Sequence, residues 1–176
     1  SFNQPINNWN VSGVTNMTSI LQSTDFNLPL SGWNVSNVYN MTFMFANSPF
    51  NQPIGNWNVS GVTNMSGMFL GATSFNQPLS GWNVSNVNSM RQMFNTATDF
   101  NQPIGSWNVS GVTDLGYMFY ASSFDYPLSG WNVSKVTDMT YMFANSPFNQ
   151  PIGNWDVSKV KNMSGMFVNT SFDYPI

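Results

Sequence analysis

The phrase Phe-Asn-Gln-Pro-(Ile/Leu)-x-x-Trp-Asn-Val-Ser recurs with small variations down the whole chain, its phenylalanines at Phe2, Phe26, Phe50, Phe75, Phe100, Phe124, Phe148 and Phe172. The period is 24 or 25 residues. A unit so short cannot bury an apolar face alone, so this spacing implies one supersecondary unit stacked many times. The chain reads as a single array over 1–176 of seven repeats, 2–25, 26–49, 50–74, 75–99, 100–123, 124–147 and 148–171, with the start of an eighth at 172–176.

Aligned repeats give columns. Trp9, Trp33, Trp57, Trp82, Trp107, Trp131 and Trp155 form one, the valines two residues on (Val11 to Val157) a second, and the valines three residues later (Val14 to Val160) a third. The Ile or Leu before each Trp, from Ile6 to Ile152, supplies a fourth. Trp-x-Val alternates with the period of two expected of a strand, which predicts one short strand per repeat, paired in parallel with its neighbours, with Trp and Val inward. The second half changes period: Met65, Met68 and Phe69 stand at i, i+3 and i+4, an apolar stripe on one helical turn. The residue before that turn is Asn16, Asn40, Asn64, Ser89, Asp114, Asp138 or Asn162, each a preferred N-cap. The expected fold is therefore a leucine-rich-repeat-like solenoid with one short parallel β-strand and one short α or 3₁₀ turn per repeat. The Asn or Asp two residues before each Pro, as in Asn51 before Pro53, is expected to form an Asx turn at the corner. Repeats also alternate between Pro-Ile-Gly-Asn-Trp and Pro-Leu-Ser-Gly-Trp, a two-repeat rhythm.

Trp-Asn-Val-Ser-x-Val-Thr-Asn-Met-x-x-Met-Phe followed by Phe-Asn-Gln-Pro-(Ile/Leu), as at Trp57 to Phe69 and Phe75 to Leu79, resembles the BspA-like surface-protein repeat, a branch of the leucine-rich-repeat solenoids. The resemblance covers essentially the whole chain. It implies a secreted or surface-attached protein, with adhesion the commonest assignment. Two features depart from that pattern: no terminal caps are recognisable, and Asn replaces the commoner Asp after most of the tryptophans.

Only 6% of the residues are charged, against about a quarter in ordinary soluble domains, so something other than charge must solvate or cover this surface. The seven acidic residues, all Asp, sit in columns where other repeats carry Asn, Ser or Pro, which makes them structural substitutes rather than a cluster. Arg91, Lys135, Lys159 and Lys161 make no stripe in a chain of net charge −3, which disfavours nucleic acid. With no cysteine and no histidine, thiol and imidazole chemistry are excluded and the usual zinc ligands are missing; no cofactor is implied. A hydroxyl such as Ser60 has no histidine to activate it and no carboxylates pair outside the repeat register, so the chain reads as non-catalytic. No apolar run approaches the ~20 residues of a spanning helix, and membrane insertion is not expected. The chain opens on Ser1 without a signal-like segment and stops at Ile176, from which the expectation is an excerpt of a longer array or the ordered part of a fibre.

Asn-x-Ser/Thr sequons occur at Asn10, Asn34, Asn58, Asn83, Asn108 and Asn132 in the strand column, at Asn16, Asn40, Asn64 and Asn162 in the capping column, and at Asn169. Capping already uses the second set, so any glycan is expected on the first, where neighbouring rungs only ~4.8 Å apart limit occupancy. Bare, the same column forms a polar lattice: Asn34, Ser36, Asn58, Ser60, Asn83, Ser85, Asn108, Ser110, Asn132 and Ser134. The expected function is an extracellular structural or adhesive scaffold whose partners are further repeats or copies of itself end to end, and glycans or a host or matrix surface. The alternative is a planar-ligand binder, for ice or crystalline polysaccharide.

Overall fold

The computed structural model describes residues 2–176; Ser1, which matches the serine before Phe in other repeats, lies outside them. Among the described residues there is no helix, and only 4% pair as strand, as single-residue parallel bridges that run Asn16, Asn40, Asn64, Ser89, Asp114, Asp138, Asn162. The expected leucine-rich-repeat-like solenoid of strands and helical turns is therefore corrected. The chain is mostly irregular, and each repeat is a rung of tight turns lying against the equivalent turns of the next.

The strand fails because its polar residues make turns. In the second rung the Trp33 N–H donates to the Leu30 carbonyl at 3.0 Å and the Val38 N–H to the Val35 carbonyl at 2.9 Å. Between them the Ser36 N–H donates to Asn34 Oδ1 at 3.1 Å. Asn offering its own side chain to the backbone two residues on is the local competitor of a sheet ladder, and here it wins. The inward columns survive: Trp57, Val59 and Val62 are all buried, while Asn58 is exposed and Ser60 half-buried.

The helical turn fails for a different reason. The N–H groups of Met65, Gly67, Phe69 and Gly71 donate to the carbonyls of Ser89, Arg91, Met93 and Asn95 in the next rung, at 2.8 to 3.1 Å. Those of Met68, Leu70 and Ala72 donate three residues back within their own rung. Alternation of this kind needs left-handed residues every fourth position, and Gly67 and Gly71 have φ of 59° and 64°; a right-handed helix contains none. Other rungs place Ser19, Phe43, Gln92, Tyr117 and Tyr141 in the Gly67 column at similar φ. The i, i+3, i+4 stripe still faces the core, because the turn ladder carries Met65, Met68 and Phe69 to the same side.

Three sets of side chains lock rung to rung. Phe50 stacks on Phe75 at 6.3 Å, Phe69 on Phe94 at 5.5 Å, and Phe69 on Phe75 at 3.9 Å, a zigzag of rings that continues along the array. The Trp107 indole N–H donates to the Leu79 carbonyl of the previous rung at 3.0 Å, and the tryptophans from Trp33 to Trp155 all do the equivalent. Trp9, with no described rung before it, is 56% exposed, against 3–8% for the others. Asn76 Oδ1 accepts the Asn101 N–H and Gln102 Nε2, both at 3.0 Å. The corner asparagine thus reaches the next rung instead of closing the expected Asx turn in its own.

The two-rung rhythm has a steric basis. A Cβ on Gly105 would lie 2.5 Å from the Pro127 carbonyl oxygen, and Gly55 and Gly153 meet Pro78 and Pro175 in the same way. Glycine in one rung admits the proline corner of the next.

Candidate functional site

The asparagines of the expected polar face lie in one exposed row. Asn10, Asn34, Asn58, Asn83, Asn108 and Asn132 are all exposed, and each Oδ1 accepts the N–H of the serine two residues on at 3.1–3.2 Å. Ser12 and Ser60 add their hydroxyls to the same oxygen at 2.7 Å. This fixes the carboxamide and leaves its Nδ2 as an outward donor. Ser36, Ser60, Ser85, Ser110 and Ser134 are half-buried, a second tier behind the asparagines. Asp156 continues the column in the seventh rung, where the Ser158 hydroxyl and then its N–H hold the Asp156 carboxyl below the usual carboxylate range.

The second sequon column is used differently. Asn16, Asn40, Asn64 and Asn162 accept the N–H two residues on at 2.9–3.0 Å. They are Asx turns rather than helix caps, since no helix follows them. Asn40 and Asn64 are half-buried as well as bridged to neighbouring rungs, and Asn169 donates its Nδ2 to Asn145 Oδ1 at 2.8 Å.

A second constellation, absent from the sequence reading, lies on the outer side of the turn ladder. Arg91 reaches over the glycine of the next rung, its guanidinium occupying the space of a Gly116 side chain, to meet Asp114 at 3.4 Å and Asp138 at 3.6 Å. Its Cζ also lies 5.3 Å from the Tyr117 ring centroid. Tyr117 stacks on Tyr141 at 5.2 Å, and Tyr120 is inclined to them by 55° and 74°. Asp114 and Asp138 stand in for the asparagines of their column, each accepting the N–H two residues on, at 2.9 and 2.8 Å, and as neighbours in that column they also share this cation. The available signal was departure from the repeat: Arg91 stands where other rungs carry Thr, Ser or Gly, and four tyrosines, Tyr117, Tyr120, Tyr126 and Tyr141, fall within two rungs.

The family described as "Mycoplasma protein of unknown function, DUF285" matches residues 1–53, 46–123 and 104–176. The chain belongs to that family. Three overlapping matches agree with an array of repeats. No curated protein and no solved structure matches the chain. Among the described residues, no helix of this family member is long and apolar enough to cross a membrane.

Proposed function

We propose that this array is a non-catalytic scaffold, structural or adhesive, displayed outside the cell, and that its repeats belong with the BspA-like surface-protein repeats that Trp57 to Phe69 resembles. The observation that carries the reading is the asparagine row: one exposed, conformationally fixed carboxamide per rung, over six consecutive rungs. A regular surface built on a stacked core suits binding to another extended surface better than it suits a single pocket. Its partners are a matrix or glycan-bearing surface and further repeats of its own kind, since burial of a rung's tryptophan depends on the rung before it. N-glycans, where the source attaches them, fall on Asn34, Asn58, Asn83, Asn108 and Asn132 before Asn40 or Asn64, because the first set is exposed. The same fixed row gives the planar-ligand reading its footing.

The test replaces Asn58, Asn83 and Asn108 by Lys together and measures adhesion of the array to surfaces coated with extracellular matrix, alongside thermal hysteresis of freezing solutions. Adhesion that the parent has and the triple variant loses supports the scaffold. Ice shaping by the parent, abolished in the variant, puts the planar ligand in its place. Equal adhesion by both removes the asparagine row from the function, and turnover of a substrate at a defined site overturns the non-catalytic reading.

A further inference from the structure

We propose that the corner made by Arg91, Tyr117, Tyr120 and Tyr141 on the ladder flank is a binding site for a neutral saccharide. It stands apart from the asparagine row and does not rest on the function given to it. Elsewhere the equivalent outward position is occupied by Ser19, Gly67, Gln92 or Gly165, or a ring lies over the glycine of the next rung, as Phe43 does over Gly67 and Tyr141 over Gly165. At Tyr117 the pattern breaks. Two rings stack along the array, Tyr117 between the Arg91 guanidinium and Tyr141, and Tyr141 between Tyr117 and Gly165; Tyr120 crosses them steeply and is the ring of this corner left to take a ligand on its face. A pyranose has one face of C–H groups, which packs on the electron-rich face of an aromatic ring, and hydroxyls round its edge.

The polar groups needed for those hydroxyls are in place. Arg91 is already oriented by Asp114, Asp138 and the Tyr117 ring, and a planar guanidinium beside a carboxylate complements a pair of vicinal hydroxyls. Among the described residues, none of the three phenol oxygens has a hydrogen-bond partner. One further hydroxyl is left over inside. Thr140 is the next side chain in the Arg91 and Gly116 column, it is 9% exposed, and its Oγ1 is buried without a partner. In the first two rungs Thr18 and Thr42 donate their hydroxyls to Asn16 and Asn40 at 2.6 Å. An unpaired buried hydroxyl is costly enough to need a reason, and a ligand hydroxyl reaching under the guanidinium supplies the missing partner. The charges select the ligand class. One Arg against two Asp leaves the corner negative, which repels an anion, and Arg91 itself fills the place over Tyr117 that a cationic ligand would take.

The experiment is saturation-transfer-difference NMR on the intact chain with cellobiose, maltose and N,N′-diacetylchitobiose, followed by affinity measurement for whichever transfers. The expected result is binding that Tyr120→Ala weakens about tenfold, the effect of losing one stacking ring, that Tyr120→Phe keeps, and that Thr140→Val weakens with the fold intact by circular dichroism. Tyr126→Ala, which removes an exposed tyrosine from a different corner, leaves binding unchanged. The proposal is overturned if none of the three sugars shows transfer, if Tyr126→Ala weakens binding as much as Tyr120→Ala, or if tetramethylammonium binds the corner in preference to them.

Discussion

The Trp-Asn-Val-Ser corner and the turn ladder both tie each rung to the next, but with different atoms. At the corner the ties are side chains: the Trp indole to the previous rung's carbonyl, and the Asn carboxamide and Gln amide between prolines. Along the ladder they are backbone N–H groups, from Met65, Gly67, Phe69 and Gly71 to the rung beyond. Within this one chain the consequence is visible. Trp stands in all seven rungs, whereas the outward ladder column reads Ser19, Phe43, Gly67, Gln92, Tyr117, Tyr141, Gly165. Where the Trp indole carries the register the residue does not vary, and even the Gln tie gives way only at Leu28, Tyr126 and Tyr174. Where the backbone carries it the side chain changes at almost every rung, and the Arg91–Tyr corner lies on that flank.

The largest break in that comparison is Trp107→Ala. It removes a buried aromatic and the second donor to the Leu79 carbonyl, and the expected cost is about 3–5 kcal/mol in urea or thermal unfolding, because stacked neighbours above and below cannot close the cavity. Gln92→Gly, on the ladder flank at a φ of 59°, is expected to change stability by less than about 0.5 kcal/mol. Equal effects from the two variants would erase the distinction between the flanks.

The same distinction governs what could be read from the sequence. The inward columns were legible because seven copies of apolar-x-x-Trp-x-Val-x-x-Val average out local noise, and Trp57, Val59 and Val62 lie where the columns put them. Backbone type was not. Asn58-Val59-Ser60 fits the polar side of a strand and an Asx turn equally well, and only the bond from Ser60 to Asn58 Oδ1 separates them. Met65, Met68 and Phe69 fit a helical stripe and a turn ladder equally well, and the neglected signal was Gly67 and Gly71, four apart inside the supposed turn. The asparagine row was legible as a column. The tyrosine corner was not, because Arg91, Tyr117 and Tyr141 come from three rungs and none belongs to the repeat.

Two asparagines in one stretch of chain sharpen the comparison next. Asn76 carries an inter-rung tie to Asn101 and Gln102, and Asn76→Ala strands the Asn101 N–H while Gln102 Nε2 keeps the Asn76 carbonyl at 3.1 Å, for an expected loss of about 1 kcal/mol. Asn83 bonds only Ser85 in its own turn, at an exposed site, so Asn83→Ala is expected to cost no more than about 0.5 kcal/mol. Both are measured by the same urea titration, and a larger loss at Asn83 would mean that the local turn, not the inter-rung bond, sets rung stability.

On the ladder flank, Thr140→Val tests whether freedom to vary has left a flaw. The substitution keeps the branched shape and removes a buried hydroxyl with no partner, so without ligand the variant is expected to be more stable by about 1 kcal/mol. A loss of stability would show that Oγ1 has a partner in solution.

The smallest effect lies at the seventh rung, where Asp156 takes the place of asparagine. The Ser158 hydroxyl and N–H favour the ionised carboxyl and depress its pKa below the ordinary 3.8. A group depressed in the folded state adds stability above its unfolded pKa and loses it as pH falls through the folded value, so the Asp156 turn should weaken only in that acid range. Ser158→Ala removes the larger of the two bonds, and the Asp156 midpoint in a carboxyl-carbon NMR titration is expected to move up toward the ordinary value. Because the turn is local, the tryptophan signals of the other rungs should be unaffected across the same titration. If they move with Asp156, the corner's turns are coupled from rung to rung, and the division between local turns and inter-rung ties drawn from Asn76 and Asn83 does not hold at this end of the array.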